Sequence, residues 1–151
     1  MPSNARLRDL CVDENEDCRD MLSTALKFWR IEARAVATAK EALSLIQTER
    51  FDLYLLDARL PDLDGFELCR RMRDFDPHTP ILFFSGAPYE ADKKRGIEAG
   101  ANDYVTKPNM DILLRTIQQF VTRAEHATAK IIPFRQKTSF SPSFTFEPEA
   151  A

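Results

Sequence analysis

Glycine is scarce in this chain, with four in 151 residues. None of them builds a G-x-G-x-x-G or Walker-type phosphate loop, which argues against a nucleotide- or dinucleotide-binding module. Cysteine is sparse too. Cys11, Cys18 and Cys69 make an odd number with no CxxC pair, and His78 and His126 lie far from them in sequence. A zinc site or disulfide framework is therefore not expected. Reduced thiols acting as small core residues fit a cytoplasmic protein better. No run is long and apolar enough to span a membrane, and the polar start from Met1 to Arg8 lacks a signal-peptide core. Nor is positive charge in excess: 21 Lys and Arg stand against 24 Asp and Glu, for a net charge of -3. That balance gives no basic footprint for nucleic acid and argues against an anionic membrane surface.

What the chain does have is 44% apolar residues, enough for one core, in alternating patterns. Short apolar runs at Leu10–Val12, Phe51–Leu56, Pro80–Phe84 and Asp103–Thr106, with a weaker one at Ala33–Ala37, read as strands. Helix-period segments follow each. Glu16 to Arg30 carries Cys18, Leu22, Ala25, Leu26 and Trp29 on one face, with Trp29 expected in the core, and Asn15 is a candidate N-cap. Further helices are expected at 39–48, 66–75 and 89–99, the third weakened by Gly96 by roughly 1 kcal/mol. A last helix should run from Asn109 to about Arg123, with Ile112, Leu113, Ile117, Phe120 and Val121 on one stripe. The nearly continuous apolar runs suit strands buried on both faces. The pattern is βα repeated five times, which predicts a doubly wound parallel α/β sheet with helices on both faces. Residues 1–125 form the expected domain. Residues 126–151, with Pro133, Pro142 and Pro148, read as a disordered tail too short for an output domain with its own core.

In such a sheet the functional crevice lies at the carboxyl ends of the strands. Asp13 and Glu14 end the first apolar run, Asp57 the third, Ser85 the fourth and Lys107 the fifth. Three acids, a hydroxyl and an amine would then converge on one edge. Clustered carboxylates repel unless a cation joins them, and a hard divalent ion such as Mg2+ takes oxygen ligands and keeps waters. Lys107 and Ser85 can then engage phosphoryl oxygens, and Asp57 can accept a phosphoryl group as an acyl phosphate.

Each residue also has a plainer reading. Asp13-Glu14 can be an exposed turn favoured by a helix dipole, Asp64-Gly65 ordinary turn chemistry, Tyr104 a packed strand aromatic, and the Asp92–Arg95 run a solvated helix face. Their joint placement at successive strand ends favours the metal-and-phosphate reading.

Val12-Asp13-Glu14-Asn15, Leu56-Asp57, Leu60–Gly65, Phe84-Ser85-Gly86-Ala87 and Gly100–Pro108, in this order, resemble the receiver domains of two-component response regulators. The resemblance spans about Leu7 to Arg123. It implies a flavodoxin-like strand order 2-1-3-4-5, with Asp57 as phosphoacceptor and Asp13 and Glu14 as the acidic pair, Asp13 binding the metal directly. It further implies a metal contact from the Arg59 backbone carbonyl, phosphoryl contacts from Ser85 and Lys107, a cis bond at Pro108 that aims Lys107, and a Ser85–Tyr104 switch. The implied cofactor is Mg2+ or Mn2+. The implied donor is a sensor histidine kinase or a histidine phosphotransfer protein, with a downstream protein target and a monomer or phosphorylation-linked homodimer as the assembly. Leu60, Ser85 and Gly86 depart mildly from the family's commoner residues, and the resemblance implies that Arg59 and Ala87 occupy positions that tune phosphoryl lifetime.

Three rivals remain distinct. An aspartate-nucleophile phosphatase needs a second acid two positions after Asp57, where this chain has Arg59. A nucleotide-binding module lacks its glycine loop. A pseudo-receiver, a binding module that never takes phosphate, is opposed by the intact set of five residues.

Overall fold

The computed structural model describes the backbone of residues 6–135 and the side chains of residues 6–122. In order these form β1 (Leu7–Val12), α1 (Glu16–Phe28), β2 (Ile31–Val36), α2 (Ala39–Leu45), β3 (Leu53–Leu56), α3 (Gly65–Phe75), β4 (Ile81–Ser85), α4 (Glu90–Glu98), β5 (Asp103–Thr106) and α5 (Met110–Arg135). The chain divides into two compact units, one ending at Leu113 and one beginning at Leu114. All five strands and α1 to α4 lie in the first.

The strands pair in parallel in the order β2-β1-β3-β4-β5. The chain therefore moves outward from β1 to β2, then turns back across β1 to β3. Right-handed crossovers then put α1 on one face and α2, α3 and α4 on the other. Every residue of β3 and β4 is buried, which is why Leu-Tyr-Leu-Leu and Ile-Leu-Phe-Phe carry no polar alternation. One face of the sheet supplies Leu10, Val12, Tyr54, Leu56, Ile81, Phe83 and Tyr104 to a core shared with Ala39, Ala42, Phe66, Leu68 and Met72 of α2 and α3. On α1 the inward residues are Cys18, Leu22 and Leu26. The three cysteines are free and buried.

Helix entries are set by side chains that accept from the backbone: Asn15 from Cys18, Thr38 from Glu41 and Asp64 from Glu67. These caps fix where α1 and α3 start, beside the ends of β1 and β3. Arg73 ties the end of α3 to its neighbours by donating to the carbonyls of Gly100, Asp76 and Thr79 and to the Asn102 side chain.

Three expectations need correction. Trp29 is 40% exposed rather than in the core. It sits at the C-cap of α1, where the chain turns through Arg30 at φ 61°, so Leu26 is the last inward residue. Ile112, placed on the inward stripe of the last helix, is exposed, and its neighbour Leu113 is buried. Finally, α5 runs to Arg135, past the end expected at Arg123 and into the supposed tail. Ala124, Glu125, Ala127, Ala129 and Lys130 are strong helix formers. Their propensity outweighs the Pro133 signal, and Pro133 falls only in the final turn. The rest of the expected tail, 136–151, lies outside the described residues. Among the described residues no helix is long and apolar enough to cross a membrane.

Candidate functional site

The site is built at the carboxyl edge of the sheet, where β1, β3, β4 and β5 end side by side. Val12 pairs with Leu56, and Leu56 with Phe83, so Asp13 and Asp57 leave adjacent strands together. The Asp57 amide donates to the Val12 carbonyl at 2.9 Å. Ser85 pairs with Thr106, and the Lys107 amide donates to the Ser85 carbonyl at 2.8 Å. Backbone pairing alone therefore brings four of the expected residues to one place.

Lys107 joins the acids. Its Nζ lies 2.7 Å from Asp13 Oδ2 and 3.0 Å from Asp57 Oδ2. The acids are nearly buried, with side chains 3% and 12% exposed, while the lysine is 23% exposed. Burial works against the ammonium, but the hydrogen bonds and charges of Asp13 and Asp57 outweigh it and hold the Lys107 pKa above the ordinary lysine value. The Lys107–Pro108 bond is cis. Beneath the site, burial and then the bond and charge of Asp13 push the Cys18 thiol up to about 11, so it stays protonated.

Four expected residues stand outside the Lys107–carboxylate contact. Glu14 is exposed on the loop after β1. Arg59 is also exposed, and its amide faces Asp57 Oδ1 at 3.4 Å. Ser85 is buried, and its Oγ accepts from the Ala87 amide at 3.3 Å. Tyr104 is buried too, with its hydroxyl donating to the Ala87 carbonyl at 2.7 Å. Ala87 is thus the joint between Ser85 and Tyr104, through backbone atoms that every residue type carries. The Tyr104 ring stacks on Phe83 at 5.5 Å, Phe83 contacts Phe66 at 5.2 Å, and the Arg95 guanidinium lies 4.2 Å from the Phe66 centroid. Replacing Tyr104 by phenylalanine should keep the stack and strand the Ala87 carbonyl. About 1 kcal/mol of stability should go, read by urea unfolding, and no change would mean that the hydroxyl bond contributes nothing.

Three supporting residues gave no sequence signal of this role. The Asn15 amide donates to Asp13 Oδ1 at 2.9 Å, and Arg19 donates to the Asp13 carbonyl at 2.8 Å. Between them they hold the acid in place from α1. Gly65 is the third. A Cβ there would strike the Asp57 carbonyl oxygen and come within 2.8 Å of the Ala58 Cα.

The donor set suits a hard cation. Asp13 and Asp57 present oxygens to the same ammonium, so both are within reach of one small ion. Mg2+ is commonly held by one or two carboxylates plus waters, which fits this pair without a full protein cage. Among the described residues no cluster of three or more His, Cys, Asp or Glu is preformed for a metal.

The family described as the response regulator receiver domain matches residues 10–118. This chain belongs to that family. It is 35% identical over 102 residues to the response regulator MprA of Mycolicibacterium vanbaalenii, covering 68% of this chain and 44% of that protein. It is 34% identical to an uncharacterized 14.6 kDa protein of Leptolyngbya boryana, covering 80% of this chain and 94% of that one. Among solved structures it resembles the chemotaxis response regulator CheY4 of Vibrio cholerae, with a TM-score of 0.72 and 31% identity over 77% of this chain and 99% of that one. The chain spans about half the length of most of the first curated relatives it matches. As a receiver domain it is a part of two-component signal transduction, and its sheet has the flavodoxin-like order of its structural relatives.

Proposed function

We propose that this receiver domain is a phosphorylation-dependent switch that accepts a phosphoryl group on Asp57 from a phosphohistidine donor. The observation that carries the reading is the single Lys107 ammonium shared by Asp13 and Asp57. It holds the acceptor carboxylate in a nearly buried position and places a fixed positive charge beside it. Phosphoryl transfer needs mainly positioning and charge stabilisation, and this pocket offers both.

In the forward step the P–N bond of the donor breaks as a P–O bond forms to an Asp57 carboxylate oxygen. The histidine nitrogen keeps the electron pair and takes a proton from solvent. Lys107 pairs with a phosphoryl oxygen, and the Ser85 hydroxyl donates to another. Asp13 would hold the cation directly, with Glu14 as the outer acid and the Arg59 carbonyl as a further oxygen donor. Bound Mg2+ or Mn2+ would supply Lewis-acid neutralisation of the phosphoryl charge. Hydrolysis reverses the state: water attacks phosphorus, phosphate leaves and the carboxylate returns. The protein acts on no separate substrate and catalyses only these changes at Asp57.

Recruiting Ser85 to the phosphoryl group would take its hydroxyl from the Ala87 amide, and with it the loop that holds Tyr104. Phosphorylation would then bias an existing two-state equilibrium toward a different partner-binding face. The partners are a histidine kinase or a histidine phosphotransfer protein as donor and a separate protein as target. A cytoplasmic site of action fits that donor.

The test is intact-mass spectrometry after incubation with Mg2+ and a small acyl phosphate. The native chain should gain one phosphoryl group and Asp57→Asn none. A folded native chain that gains nothing would instead be a pseudo-receiver, acting by phosphorylation-independent binding.

A further inference from the structure

We propose that Asp9 is a proton-binding site buried in β1, whose ionisation loosens the strand that carries Asp13. Asp9 lies in mid-strand, opposite Ala33 on β2 and Leu53 on β3, and is fully buried. Its Oδ2 accepts from the Cys11 thiol at 2.8 Å. Among the described residues its Oδ1 is buried with no hydrogen-bond partner. A buried carboxylate with one weak thiol donor and one orphaned oxygen is a costly arrangement. The neutral acid needs far less, since it carries no charge to desolvate.

Among the described residues, the surroundings in the first unit offer no counter-ion. Cys11 lies on the same strand face and Cys18 on α1 beyond it. Both thiols are pushed up, first by burial, and stay neutral. The other inward residues of α1, Leu22 and Leu26, are apolar, as are the register partners Ala33 and Leu53. Asp13 lies further along the strand and adds only like charge. Arg8, next in sequence, is engaged elsewhere, by Glu49 at 2.7 Å and the Arg50 carbonyl at 3.0 Å. Burial accordingly pushes the Asp9 carboxyl up from 3.8 to about 7, with the Cys11 bond only partly offsetting it.

The sign follows from linkage. The folded chain binds this proton more tightly than the unfolded chain. Stability is therefore greatest with Asp9 protonated, falls as pH rises from the unfolded value through the folded one, and is level above it. This device is independent of phosphorylation and can be tested without it.

Urea unfolding of the full chain should be measured from pH 5 to 8 beside Asp9→Asn, which keeps the shape and removes the ionisation. In the native chain the unfolding constant should rise by close to tenfold per pH unit at the acid end of that window and flatten above neutrality. Asp9→Asn should lack that component. Amide exchange at Leu10 to Asp13, corrected for intrinsic rates, should quicken with pH in the native chain only. Should Asp9→Asn fail to fold, the carboxyl 13C shift of Asp9 in the native chain decides alone. A midpoint near neutrality is expected, and one in the ordinary carboxylate range overturns the proposal, as would equal pH slopes in the two chains.

Discussion

Replacing Gly65 by alanine should destabilise the receiver by about 3 kcal/mol, at the upper end of what overpacking usually costs. The sign is the informative part. Gly65 is the first residue of α3, and alanine is favoured over glycine in helices by roughly 1 kcal/mol, so propensity alone predicts a gain. Geometry predicts the reverse, because the added Cβ would meet the carbonyl oxygen of Asp57 and the Ala58 Cα. These are backbone atoms of the site loop and cannot swing aside like a long side chain. The Gly65 amide also donates to the Ala58 carbonyl at 2.8 Å, which fixes the close approach from the other direction. Relief must come either from moving α3 or from moving the Asp57 loop. Urea unfolding measures the first, and the rate of Asp57 phosphorylation by an acyl phosphate the second. A variant that is neutral or stabilised would show that α3 does not press on the Asp57 loop.

That contact marks the boundary of what the amino-acid sequence reveals. The apolar runs of β3 and β4 were legible because strands covered on both faces cannot afford polar alternation. The polar residue ending each run then pointed to the edge where the site lies. The reasons for Gly65 were not legible, since Asp-Gly before a helix looks the same whether or not a backbone passes within van der Waals distance. Ala87 was hidden for a related reason: its contribution is an amide and a carbonyl. Arg19 and Asn15 act on Asp13 across the β1–α1 turn, and a polar residue on a solvated helix start carries no mark of that. Asp9 was masked by the rule that found the strands. A charged residue beside Arg8 reads as the outside of the apolar run, so β1 was expected to begin at Leu10, whereas it begins at Leu7. Trp29 fitted the helical period of α1, but the helix ends one residue before it.

Removing the ammonium in Lys107→Met should cost about 3 kcal/mol, because breaking a buried ion pair leaves charge uncompensated. Here two carboxylates lose the same partner. Asp13 is almost wholly enclosed and Asp57 nearly so, and methionine keeps most of the packing while offering no donor. The pH dependence is separable from that of Asp9. The folded lysine is held above its ordinary value, so its contribution is complete at any pH below the unfolded lysine value of about 10.4 and fades only as pH climbs through the folded value. The penalty should accordingly be equal at pH 7 and pH 9. Mg2+ offers an independent check, since a cation between the two acids would replace the lost charge. The ion should stabilise Lys107→Met more than the native chain, narrowing the gap in urea midpoint. Stability alone would not be rescued into function. With no ammonium beside the proposed acceptor, labelling of Asp57 by an acyl phosphate should slow by about a hundredfold or more, the scale on which removing one aimed donor acts. A variant as stable as the native chain, with no added response to Mg2+, would show that Asp13 and Asp57 do not depend on Lys107 to be buried together.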